Sequence, residues 1–234
     1  MLSESIEYRK QYTKIALLLQ NKFLSFFRPA HRVKSRKHYM SAWIHMIPVA
    51  EASGKLKEMY ELALTPSGTV DNVMRAHSLR PHTMQGHLAL YRSVLHNPDN
   101  TLPFWFLEVV ASYVSMANQC DYSLTHHFAN ARRLMNDKQR SQAVWRALSE
   151  AKPENAFEGK ELALLQYAHK LTLNVAQMEQ TDIARLRAAG CDDGEILEVN
   201  QVCAYFNYSN RLLNGLGVTT QGDVVGYYKE TDEQ

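Results

Sequence analysis

Three side chains that can exchange protons or electrons lie close together in the segment NQCDYSLTHHF, residues 118–128. Each residue of an α-helix turns about 100°, so Cys120, Ser123 and His127 are expected within an arc of roughly 60°. A chain break at Asn118-Gln119 would put Cys120 at a helix N-terminus. Free N–H groups there favour a thiolate, with a pKa below the ordinary value of about 8.5. His127 could then carry protons to or from the sulfur or the serine.

A lone carboxylate, Glu108, interrupts the apolar run PFWFLEVVASYV just upstream. On one continuous helix Glu108 would lie about 18 Å from Cys120, so it can join the other groups only if the chain turns back between them. A buried Glu108 facing His127 would orient the imidazole and raise its basicity. The predicted site is therefore Glu108, Cys120, Ser123 and His127, with Cys120 as the reactive group, His127 as the proton shuttle and Glu108 as the orienting base.

A plainer interpretation of the same residues stays open. Glu108 lies on a polar stripe of its predicted helix, which is typical of a solvated face. Cys120 alone would be a small buried hydrophobe, and His126 and His127 would be a solvated pair, with His126 directed away from the arc. A hydrolytic triad of Ser123, His127 and Glu108 is disfavoured, because nothing in the sequence resembles a strained nucleophile turn or an oxyanion loop.

The composition is that of an ordinary globular protein. Apolar residues make up 45% and charged residues 21% of 234 residues, with a net charge of +2. This balance favours neither nucleic acid nor an acidic partner as a target. The three cysteines are too scattered for a disulfide framework, so we expect a reducing compartment, the cytoplasm. Cys203 is predicted to be core and Cys191, after a helix-ending glycine, to be partly exposed. The sequence shows no phosphate loop and no zinc-type spacing, so no cofactor and no metal is predicted.

The net charge hides a basic N-terminal extension. Residues 1–40 carry nine Lys/Arg and two Asp/Glu, hence +7, while the remainder carries 17 and 22, hence −5. The extension is expected to be disordered or to form a lone basic amphipathic helix, for which contact with a membrane is the less favoured alternative. Met40 is a second candidate for the natural start.

The rest of the chain predicts an all-α fold of about eight helices. Apolar residues recur at spacings of three and four, and strict alternation is nearly absent. We expect one helical domain over 41–220, followed by a polar tail at 221–234. Asp192 and Glu195 have capping-box spacing, and Gly215 and Gly217 are expected to end the last helix. The predicted helices cover 51–63, 70–78, 82–95, 104–117, 120–135, 140–151, 157–173, 181–189 and 192–213.

The segment EVVASYVSMANQCDYSLTHH, residues 108–127, resembles the core motif of the alkylhydroperoxidase D-like (AhpD-like), carboxymuconolactone decarboxylase-like superfamily. That motif places a Glu twelve residues before the first Cys of a C-x-x-C and a His four after the second Cys. Glu108, Cys120 and His127 fall on those positions, with Tyr122 as in a common variant. Further stretches resemble the uncharacterised peroxidase-related branch: WIHMIPVAEASGKLKEMYE (43–61), VDNVMRAHSLRP (70–81), LYRSVL (90–95), AHKLTLN (168–174), TDIARLRAAG (181–190) and AYFNYSNRLLNGLGV (204–218).

The resemblance implies an antioxidant, peroxidase-type oxidoreductase and a homo-oligomer, with one departure. Ser123 stands where the family has its second cysteine, and a hydroxyl can neither become a sulfenate nor close a disulfide. Three functions stay open. One is peroxide reduction by Cys120 alone, resolved by an external thiol reductant. The second is acid–base chemistry by Glu108 and His127 without thiol turnover, as on the decarboxylase side of the superfamily. The third is a non-catalytic oligomeric scaffold.

Overall fold

A computed structural model describes residues 41–228, and the basic extension of residues 1–40 lies outside them. Within this range the chain is all-α, as predicted, with nine α-helices and no strand. The helices are α1 (Gly54–Leu62), α2 (Asn72–Arg75), α3 (Pro81–Leu95), α4 (Phe104–Ala117), α5 (Asp121–Met135), α6 (Lys138–Ser149), α7 (Gly159–Leu173), α8 (Gln180–Ala188) and α9 (Asp193–Leu216). Short 3-10 turns lie at Val49–Glu51, Pro153–Asn155 and Val175–Gln177.

Helix α4 is the centre of the fold. Every residue from Phe106 to Ser115 is buried, because this stretch is apolar or small on all sides and other elements surround it. Helices α5, α7 and α9 all pack against α4. A polar group on α4 is therefore removed from bulk water whichever way it faces, which decides the environment of Glu108.

The turn between α4 and α5 falls where the sequence predicts a break. Asn118 is the C-cap of α4, and Gln119 takes a left-handed backbone conformation with φ 52°. The Cys120 N–H then donates to the Ser115 carbonyl at 2.9 Å, which closes the turn. The connection is so short that α5 runs back along α4, and the two helices are packed neighbours. This reversal brings the N-terminal half of α4 beside the middle of α5.

The last helix follows its local signals except at one glycine. Asp192 and Glu195 form the predicted capping box, each side chain accepting from the other's backbone N–H. Gly215, expected to help end the helix, lies inside α9, and the helix ends at Gly217 with φ 59°. The Trp43 ring occupies the space where a Cβ at Gly217 would lie, and the left-handed backbone conformation also favours glycine there. No helix in residues 41–228 is both long enough and apolar enough to cross a bilayer.

Candidate active site

Glu108 and His127 meet between α4 and α5. Glu108 is wholly buried, and its Oε2 lies 2.7 Å from Nδ1 of His127. The solvated-face interpretation of Glu108 is therefore wrong, because α4 is the central helix of the fold. Nδ1–H of the imidazole donates to the carboxylate, which leaves Nε2 of His127 as an acceptor. The predicted pairing of these two residues is present.

Asn130, one turn further along α5, completes the surroundings of this carboxylate. Its Nδ2 donates to Oε1 of Glu108 at 3.1 Å, while its Oδ1 accepts from the backbone N–H of Tyr227 at 2.7 Å. Each oxygen of Glu108 thus has a hydrogen-bond donor, as buried polar groups in proteins normally do. The sequence analysis missed Asn130, although it follows His127 by three residues and so lies on the neighbouring face of the same helix.

A cavity of about 280 Å³ adjoins this pair. Ser123 and His127 line it, and so do polar and aromatic groups from α3, α5, α9 and the C-terminal segment. Since Nδ1 of His127 is held by Glu108, Nε2 is the nitrogen available to a molecule in the cavity. The cavity is lined by Ala63, Leu64, Thr65, Asp71, Val73, Met74, His87, Leu88, Tyr91, Arg92, His96, Tyr122, Ser123, His126, His127, Asn130, Tyr205, Ser209, Leu213 and Tyr227.

Cys120 faces a different environment. It is the N-cap residue of α5, as predicted, but it is buried and is not among the cavity-lining residues of the described range. Burial raises the pKa of the Cys120 thiol, and hydrogen bonds from the backbone and hydroxyl of Ser123 offset this only in part. The expectation of a lowered pKa is therefore wrong. The thiol belongs to an apolar cluster with Ala42, Met46, Ala76, Tyr122, Leu213 and Val218.

The other two thiols are also buried. Cys203 is core, as predicted, and its Sγ lies 3.4 Å from the carbonyl oxygen of Ala168. Cys191 is only 5% exposed, so its predicted partial exposure is wrong, because it lies against the core formed by α8 and α9. Burial raises the pKa of both thiols.

His126 lies beside the cavity and not in solvent. It is 6% exposed, and its ring stacks on Tyr122 with a centroid distance of 4.7 Å. The backbone N–H of Gly226 donates to Nδ1 at 3.3 Å, which assigns the ring hydrogen to Nε2. Nε2 lies 3.5 Å from Asp223 Oδ2. The prediction of a solvated His126-His127 pair is therefore wrong for both residues.

His126 is buried because the C-terminal segment, residues 219–228, returns over the end of α5. Asp223 accepts from the backbone N–H of Asn72 at 3.1 Å and from the Tyr122 hydroxyl at 2.6 Å. The Tyr228 hydroxyl lies 2.9 Å from His96 Nδ1. The sequence analysis assigned 221–234 to a polar tail. As far as Tyr228 the segment packs on the domain through the side chains of Asp223 and Tyr228, while Gln221, Val224 and Tyr227 are exposed.

Two cavity-lining groups have strongly shifted pKa values. Burial raises the pKa of Asp71 to about 6, an effect that His126 opposes and Asp223 reinforces. Burial also lowers the pKa of His87 to about 3, helped by the neighbouring His77. His87 is therefore neutral at physiological pH, whereas Asp71 is mostly ionised. Among residues 41–228 no cluster of three or more His, Cys, Asp or Glu side chains is arranged to hold a metal ion.

Solved structures with the same arrangement of helices are known. An alkylhydroperoxidase AhpD core, uncharacterized peroxidase-related protein from Ralstonia eutropha JMP134 is similar with a TM-score of 0.69 and 20% identity, over 79% of this chain and 94% of that one. An uncharacterized peroxidase-related protein from Silicibacter sp. TM1040 gives 0.68 and 23%, over 82% and 96%. A Cys-to-Ala variant of the debrominase Bmp8, in complex with 2,3,4-tribromopyrrole, gives 0.60 and 15%, over 76% and 90%.

No family profile and no curated protein matches the sequence. Identities this low establish a shared fold and leave the chemistry to the residues themselves. The fold that the sequence resemblance implied is confirmed: this chain has the all-helical fold of the alkylhydroperoxidase D core and of its peroxidase-related neighbours.

Proposed function

We propose that this protein is an acid–base enzyme built on the AhpD-like fold. In this proposal His127, held by Glu108, exchanges a proton with a small organic molecule bound in the adjoining cavity. The observation that carries the proposal is the contrast between the two candidate reactive groups. His127 lines the cavity and is oriented by a buried carboxylate, whereas Cys120 does not line it.

The proton transfer follows from the tautomer. Nε2 of His127 accepts a proton from the substrate, and the electron pair of the broken bond stays on the substrate as an enolate or similar anion. The imidazolium that forms is stabilised by Glu108 at 2.7 Å, in an environment where a charge–charge contact is stronger than in water. The same nitrogen returns the proton to the product, so no oxidant or reductant is consumed.

Ser123 is the hydroxyl placed to assist this step. It lines the cavity four residues before His127, and a hydrogen bond from its hydroxyl to the Cys120 sulfur is one of the influences that lower the pKa of that thiol. A rotation about its side-chain bond would transfer that hydrogen bond to a developing oxyanion, which is electrostatic stabilisation of the usual kind. Cys120 then acts as the resting acceptor for Ser123 and takes no part in the chemistry.

The test is hydrogen exchange at carbon. The protein is incubated in D₂O with small carbon acids, namely 1,3-diketones, β-keto lactones and 2-aminoketones, and loss of the C–H signal is followed by NMR. We expect catalysed exchange for at least one of these, reduced about 10²–10⁴-fold by His127→Gln or Glu108→Gln. Cys120→Ala and the exposed-histidine control His82→Gln should keep full activity. Exchange that disappears with Cys120→Ala, or that survives His127→Gln, would contradict the proposal.

Thiol-dependent peroxide reduction is the second candidate. The observation in its favour is that Ser123 hydrogen-bonds to the Cys120 sulfur while itself lining the cavity, so the thiol lies one side chain away from a bound molecule. In that reaction Cys120 would be oxidised to a sulfenate as the peroxide O–O bond breaks, and an external thiol would reduce it. This candidate requires the thiol to become both ionised and exposed, against the direction of its pKa shift.

A further inference from the structure

Part of the cavity wall carries polar atoms that have no hydrogen-bond partner within residues 41–228. They are Oδ1 of Asp71, Nδ1 of His87, Nε2 of His96 and Nε2 of His126. All four residues line the cavity, and His87 and His126 are only 3% and 6% exposed. Buried polar atoms are normally paired, because leaving one unpaired is costly. Several such atoms around one cavity indicate that the cavity receives a polar ligand.

The charge of the cavity favours a cation. The Glu108 carboxylate is already matched by His127 and Asn130, but Asp71 keeps an unpaired oxygen and has Asp223 as a nearby second carboxylate. In the described part of the chain, Arg92 is the lining side chain with a permanent positive charge. Its guanidinium donates to the carbonyl of Leu62, and the residue is exposed. Of the lining groups that are charged permanently or for the most part at physiological pH, Asp71 is therefore the one inside the cavity, and its charge is negative.

Aromatic rings form much of the remaining wall. Tyr91, Tyr122, Tyr205 and Tyr227 all line the cavity, and the rings of Tyr91 and Tyr205 lie 5.9 Å apart between centroids. Ring faces attract organic cations, and most strongly where the cation is desolvated. A volume of about 280 Å³ suits a small ring that carries one or two substituents.

We propose that Asp71 is the recognition carboxylate of this cavity for small organic cations, specifically a primary ammonium on an aromatic or cyclic body. The ammonium binds the Asp71 carboxylate, and the tyrosine rings enclose the body of the ligand. This inference deepens the proposed function, on which it rests for the identity of the site: the molecules presented to His127 are amines. An anion would meet Asp71, and a neutral molecule would leave the Asp71 charge uncompensated.

Binding of three near-isosteric probes tests the assignment. Benzylammonium, benzyl alcohol and benzoate are titrated at pH 7.5 into the full-length protein by calorimetry. We expect benzylammonium to bind roughly ten- to hundredfold more tightly than benzyl alcohol, the range expected for a hydrogen bond between charged groups, and benzoate to bind least. Equal affinities, a preference for benzoate, or no heat with benzylammonium at 50 mM would overturn the proposal.

Variants distinguish ligand recognition by Asp71 from proton transfer by His127. Asp71→Asn keeps the size of the side chain and should reduce benzylammonium binding at least about tenfold, or 1.4 kcal/mol, and leave benzyl alcohol unchanged. The exposed control Asp99→Asn should change neither. His127→Gln removes the proposed base but should still bind benzylammonium. Loss of proton exchange can therefore be distinguished from loss of ligand binding. Undiminished benzylammonium binding by Asp71→Asn would contradict the assignment, and the wild-type comparison stands even if that variant does not fold.

Discussion

Cys120 and His127 belong to the same short segment, yet they occupy two different regions of the molecule. The thiol lies in an apolar cluster, where burial raises its pKa. The imidazole lies between a buried carboxylate and a cavity. Their helical spacing predicts a shared face, but Cys120 is the N-cap residue with φ −104° and ψ 89°, and so does not follow the 100° rotation of the helix. Because Cys120 itself is not helical, its thiol does not share the face of α5 that carries His127.

The two regions should differ most in how much stability a substitution removes. Glu108→Ala leaves two buried donors, His127 Nδ1–H and Asn130 Nδ2–H, without an acceptor, so we expect a loss of about 3–5 kcal/mol in the free energy of unfolding. Cys120→Ala removes one small apolar group and should cost about 1 kcal/mol. Urea unfolding of both variants measures the difference. Equal losses would show that Glu108 is not the centre of a buried polar network.

The charge on Asp71 should make stability depend on pH. Its folded pKa, about 6, lies above its unfolded value, so the stability that this group contributes is fully present below about pH 4 and is lost as the pH rises through 6. Asp71→Asn removes this loss. The variant should be more stable than the wild type by up to about 3 kcal/mol at pH 8 and equally stable at pH 4. An advantage that is the same at both pH values would contradict the shift.

The rate of alkylation compares a thiol at position 120 directly with a thiol at position 123. In a Cys191→Ser, Cys203→Ala background, Cys120 should be alkylated with an apparent pKa above the ordinary value of about 8.5. A second protein, with Cys120→Ala and Ser123→Cys, presents its thiol to the cavity and should react several times faster at pH 8. Faster reaction of Cys120 than of the thiol at position 123 would place the reactive position back at the helix N-terminus.

Local chemistry in the sequence predicts most of the helical framework. The apolar stretch after Pro103, the break at Asn118-Gln119 and the capping box of Asp192 and Glu195 each act within a few residues, so each can be recognised without the fold. The pairing of Glu108 with His127 depends only on the short turn between two adjacent helices, which the break implies.

The remainder of the site depends on contacts far apart in sequence. Asp71 and Asp223 are brought to α5 from opposite ends of the domain, and no periodic pattern indicates that residues 219–228 return to the cavity. These residues look like a solvated tail because they contain no long apolar stretch. The Asp223 side chain and the Thr219 carbonyl are instead matched with Tyr122 and Asn72. Such matching is a property of the folded state, which residue types alone do not reveal.

The central claim is that the chemistry of this protein belongs to His127 and not to Cys120. Its most direct test is consumption of hydrogen peroxide by the purified protein with a panel of monothiol and dithiol reductants, compared with Cys120→Ser. Wild type and variant are expected to consume peroxide at the same background rate with every reductant. A rate well above background that Cys120→Ser abolishes would contradict it and make the protein a one-cysteine peroxidase.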